Sequence, residues 1–134
     1  TSGLGLITAR TLIKEGWNVL VLARNRQKAE KHFDFSAGTG ASFVSCDLSS
    51  LSSVSKAAKQ VRANTDQLDV LLNNAGGILE QRELSEDGIE MTFQMNHLGH
   101  FLLTTKLMDL LIRSRTRIIN VSSAAHQRRW RAFE

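Results

Sequence analysis

The sequence predicts an α/β protein with a doubly wound parallel sheet, and three observations carry that prediction. Apolar strands alternate with helical stretches along the chain, the order expected of β–α–β units. The strands read as nearly continuous apolar runs, the pattern of a sheet covered on both faces. A glycine-containing loop, Thr1-Ser2-Gly3-Leu4-Gly5, stands directly before a helix.

Each element has its own signal. Leu6, Ala9 or Arg10, and Ile13 fall at helical spacing over Leu4–Glu15, and Gly16 can end that helix. Asn18–Ala23 reads as a strand through Val19-Leu20-Val21-Leu22. Arg26–His32 is charged and helical, Ser36–Gly40 is a turn, and Ala41–Cys46 is a second strand. Ser49 or Ser50 can cap the next helix, whose apolar stripe is Leu51, Val54, Ala58 and Val61. Leu68–Leu72 is a short strand that runs into Asn73-Asn74-Ala75-Gly76. Ser85, followed by Glu86 and Asp87, suits a helix start, because carboxylates favour the positive helix end. A long helical pattern runs from Ile89 to Ile112 with Gly99 inside it, and Arg117–Val121 is the last strand.

Composition excludes several classes. The 134 residues bound the chain to one domain or part of one; 42% are hydrophobic and 22% charged, as in globular proteins. A single cysteine, Cys46, excludes an internal disulfide framework and points to a reducing, cytoplasmic setting. No apolar run reaches the roughly 18 residues of a membrane helix. The net charge of +4 admits an anionic ligand. The basic residues fall in two groups, Arg24 to Lys31 and Arg113 to Arg131. Trp17 and Trp130 form no aromatic array, so nucleic acid binding would rest on charge alone.

Candidate site residues gather at strand ends. Before a helix, Ser2, Gly3 and Leu4 can bring backbone amides close to a pyrophosphate, although two glycines there also suit a plain turn. The strand about 20 residues on from such a loop reads the adenosine ribose. Here it ends Leu22-Ala23-Arg24-Asn25, with no carboxylate. Arg24 can fork onto a 2′-phosphate, which favours NADP(H) over NAD; a solvated arginine is the other reading. Asp47 and Leu48 end the next strand, where Asp47 can accept from an adenine amino group, cap the following helix, or do both. His97 and His100 lack companions for a metal site.

With Asn73-Asn74-Ala75-Gly76 the sequence resembles the short-chain dehydrogenase/reductase family. Gly3 and Gly5 match the last two glycines of that family's T-G-x-x-x-G-x-G loop, and its N-N-A-G signature is complete. The family's helix asparagine matches Asn96 in Asn96-His97-Leu98-Gly99-His100-Phe101. Its active-site serine matches Ser123 in Val121-Ser122-Ser123-Ala124-Ala125-His126. These two phrases are most similar to the retinol-dehydrogenase-like branch. The resemblance implies that residues 1–134 are a partial, Rossmann-type NAD(P)-binding domain, with Asn74, Ala75 and Gly76 lining the cofactor. It implies that Ser123 binds the substrate oxygen and that Asn96 holds a relay water. The implied substrate is a small alcohol or carbonyl compound, lipophilic by branch; the implied assembly of the full-length protein is a homodimer.

One feature departs from the family. The Y-x-x-x-K pair is missing, and the chain contains no tyrosine. Together with a first residue other than methionine, this is expected of a fragment lacking the first strand and the C-terminal part. Such a piece is expected to be unstable alone. A truncated, non-catalytic nucleotide-binding or regulatory protein is the alternative.

Overall fold

The computed structural model describes residues 2–123. Helix α1 (Gly3–Lys14) is followed by β1 (Val19–Ala23), α2 (Arg26–Glu30), β2 (Ala41–Ser45), α3 (Leu51–Asn64) and β3 (Val70–Asn73). Helix α4 (Met91–Phe93) runs through a π-helical segment, Gln94–Leu98, into α5 (Gly99–Arg113), and β4 (Arg117–Asn120) closes the order.

Both strand pairs are parallel. β1 lies against β2 with Val19 opposite Ala41 and Ala23 opposite Ser45. β3 lies against β4 with Val70 opposite Arg117 and Asn73 opposite Asn120. Among the described residues the pairs form separate two-stranded sheets, with no ladder from β1 to β3. That break is what a sheet lacking a central strand shows.

Successive side chains of a strand point to opposite faces, and β1 is apolar on both. Leu20 and Leu22 pack on the main core of Val44, Cys46, Val54, Ala57, Ala58, Val61, Leu103, Leu107, Leu110 and Leu111. Val19 and Val21 pack with Phe33 and Ala41 beneath Leu6, Ala9 and Ile13 of α1. Helices therefore cover both faces, as the continuous apolar run predicts. Leu71 of β3 also reaches the main core, so α3 and α5 bridge the two strand pairs from one side. Arg62 of α3 reinforces that packing by donating to the Lys106 carbonyl at 2.6 Å.

Two expectations fail. Ser85 does not start a helix: its hydroxyl bonds the buried Gln94 side chain and receives the Asp87 and Ile89 amides. The helix begins at Met91, where the Glu90 carboxylate accepts from Thr92 N at 2.9 Å and Phe93 N at 2.7 Å. The acidic pair does serve a helix start, but that of α3. Asp87 accepts from Leu51 N at 2.9 Å, and Glu86 receives the Ser50 hydroxyl. The second failure is the continuous helix Ile89–Ile112, which the π segment interrupts at Asn96.

Candidate functional site

The candidate site starts where α1 begins. Ser2 precedes that helix with no side-chain cap, and no acidic residue lies in the first turn. Among the described residues the first-turn amides have no side-chain partner, a ready site for an anion. Other helix starts are filled: Asn25 caps α2, Ser50 caps α3 and Glu90 caps α4. Gly3 opens α1 at φ +56°, and Leu4 beside it is exposed.

The loop after β3 lies against this start. A Cβ on Gly5 would stand 2.6 Å from Asn74 Nδ2, so any larger residue there would push the Asn74 side chain away from the helix start. From its other side the loop is held by the helix around Asn96. Asn96 Oδ1 accepts from Gly77 N at 2.9 Å, and Asn96 Nδ2 donates to Gly77 O at 2.8 Å. One turn on, His100 Nε2 lies 2.7 Å from the Ala75 carbonyl oxygen. Asn74, Ala75 and Gly76 are thus suspended between α1 and the π-to-α junction.

The remaining candidates follow the ends of the other strands, β1, β2 and β4. Arg24 is exposed directly after β1, and none of the ion pairs among the described residues engages it. Asn25 uses its carbonyl oxygen to cap α2 through Lys28 N at 2.8 Å. Asp47 Oδ1 accepts from Ser49 N at 2.9 Å and Ser49 Oγ at 2.6 Å. Asp47 thus closes a turn ahead of α3 and does not cap it, since the cap is Ser50, and one carboxylate oxygen lies outside that turn. Leu48 meets α5 so closely that a Cβ on Gly99 would lie 2.8 Å from the Leu48 carbonyl oxygen. Ser123 lies three residues beyond β4, whose exit is tied to β3 by Val121 N on Asn73 O at 2.9 Å.

Sequence reasoning missed part of the framework. Asn73 is buried and donates to Asn120 Oδ1 at 2.9 Å, pinning the ends of β3 and β4 together. Their equal positions in two parallel strands were the available signal. His97 and His100 do not face each other: the His97 ring stacks between Phe93 and Phe101, while His100 serves the loop. His126 lies outside the described residues.

Comparison with known proteins fits this geometry. A family model described as short chain dehydrogenase matches residues 1–133. Human retinol dehydrogenase 13 is 40% identical over 130 residues, covering 93% of this chain and 39% of that protein. The chain therefore spans about two fifths of that curated relative's length. A crystal structure of an uncharacterized protein from Mycobacterium paratuberculosis superposes with a TM-score of 0.78 at 38% identity, covering 93% of this chain and 44% of that one. An alcohol dehydrogenase from Thermococcus sibiricus, complexed with 5-hydroxy-NADP, superposes with a TM-score of 0.72 at 27% identity, covering 87% of this chain and 52% of that one. Signature residues, fold and family match agree: this chain belongs to the short-chain dehydrogenase family.

Proposed function

We propose that these residues form the nucleotide-binding part of an NADP(H)-dependent oxidoreductase acting on an alcohol or carbonyl compound. The observation that carries the reading is the uncapped start of α1 with Asn74 packed against Gly5. Arg24 beyond β1, with no neighbouring carboxylate in Leu22-Ala23-Arg24-Asn25, supports the phosphorylated nucleotide over NAD. The residues present fit such a group: helix amides uncapped among the described residues for the pyrophosphate, the exposed Arg24 guanidinium for a 2′-phosphate, and the second Asp47 oxygen for the adenine. The bound nucleotide would supply or accept hydride.

This chain's own residues would bind, orient and polarise. Backbone amides of Ser2, Gly3 and Leu4 hold the phosphates, and Asn74 to Gly76 line the cofactor between the two helices. Ser123 donates to the substrate oxygen and stabilises the charge that develops there. Asn96 has both ends of its carboxamide committed to Gly77. Its relay role therefore falls to the backbone, where a π segment breaks the regular α-helical ladder. With no tyrosine in the chain, we assign these residues binding and substrate polarisation but not proton transfer. The branch resemblance favours a lipophilic substrate.

Titration of the full-length protein with NADPH and NADH tests the proposal. Arg24→Ala is expected to weaken NADPH about 10- to 100-fold, the value of a charge-assisted contact, and NADH by less than about threefold. Equal losses for both nucleotides would remove Arg24 from the phosphate site. The alternative reading is a nucleotide-binding or regulatory protein without turnover. Hydride transfer by the full-length protein would exclude it.

A further inference from the structure

We propose that His100 is a positioning residue that fixes the cofactor-lining loop by donating from Nε2 to the Ala75 carbonyl. The inference rests on the nucleotide-binding reading above and adds a residue to that site.

The geometry has three parts. First, His100 Nε2 stands 2.7 Å from the Ala75 oxygen. A carbonyl only accepts, so the ring nitrogen carries the hydrogen. Second, His100 Nδ1 is buried and has no partner among the described residues. A proton there would be a buried donor with nothing to receive it, which costs more than a bare acceptor in the same place. Burial on one side and the carbonyl on the other thus select a single tautomer. Third, His100 follows Asn96 by one helical turn, and residues four apart share a helix face. Asn96 grips Gly77 while His100 grips Ala75. The loop is held at two points by one rigid element, and Gly76 is bracketed between them. A single grip would leave the loop free to pivot; two define its orientation.

The test uses the full-length protein and NADPH as the probe. His100→Gln places an amide donor near the position of Nε2, whereas His100→Leu keeps bulk and removes the donor. The proposal predicts that His100→Leu weakens NADPH binding roughly three- to tenfold, the worth of one hydrogen bond, and that His100→Gln restores most of it. Wild-type binding by His100→Leu would overturn the proposal while leaving the nucleotide reading intact. Equal losses in Gln and Leu variants would also overturn it, because shape and not the donor would then matter. No NADPH binding by the wild type would remove the nucleotide reading and this proposal together. A measurement on the unaltered protein stands apart from variant folding: a long-range proton–nitrogen spectrum is expected to place the His100 hydrogen on Nε2. A hydrogen on Nδ1 would contradict the assignment.

Discussion

At the residue scale, close packing decides which positions tolerate change. Gly5 faces the movable end of the Asn74 side chain, whereas Gly99 faces the Leu48 backbone. Gly5→Ala is therefore expected to displace Asn74 and weaken NADPH binding with little change in melting temperature. Gly99→Ala is expected to destabilise the full-length protein by about 1–3 kcal/mol, the range for overpacking a tight contact. Denaturant unfolding of both variants checks the contrast; equal destabilisation would contradict it. Cys46 is 4% exposed, and burial, helped by the Asp47 charge, pushes its thiol up to about 11. Reaction of the native protein with a thiol reagent at neutral pH should then be much slower than after denaturation. These contacts could not be read from the sequence. Gly99 looked like an ordinary helical glycine, because its partner Leu48 is distant along the chain. His100 offered only its spacing from His97, which supported no metal site and gave no sign of the Ala75 carbonyl.

At the element scale, the outcome depended on whether the stabilising partner was local. The strands at Val19–Ala23 and Ala41–Ser45 and the helix at Leu51–Asn64 follow from apolar runs and a nearby serine cap. The charge–dipole argument for Glu86 and Asp87 was physically sound but met the wrong helix, since its partner is α3. The π segment was hidden because the apolar pattern continues through it. What holds Asn96 there is a pair of bonds to Gly77, outside the helix. Glu90 gives this scale its own prediction. Hydrogen bonds from Phe93 N and then Thr92 N hold its carboxyl below the ordinary value of 4.5. A lowered folded value contributes stability above the unfolded value, and that contribution is lost as pH falls through the folded one. Glu90→Gln should thus flatten the acid side of the stability profile below about pH 4.5. An unchanged acid limb would show that the cap contributes nothing.

At the scale of the whole molecule, the core and the site sit differently with respect to these residues. The main core joins β1, β2, β3, α3 and α5, and Leu107 and Leu110 at its centre are 1% exposed. Leu107→Ala should cost about 2–5 kcal/mol in the full-length protein. Elsewhere apolar surface lies open. Leu4 and Ile7 of α1 are 71% and 64% exposed, and Phe101 and Ile112 of α5 are 62% and 68% exposed. β1 and β3 share no ladder, and unpaired strand edges invite association with other chains. Residues 1–134 expressed alone should accordingly aggregate or unfold without a cooperative transition; a sharp, reversible thermal transition would contradict this.

The most direct test of the account is a calorimetric titration of the full-length protein with NADPH. If the amides at the start of α1 and the Arg24 guanidinium grip the nucleotide's phosphates, binding will saturate at one site per chain, tighter than for NADH. A flat titration at concentrations that fully occupy other members of the family would contradict it.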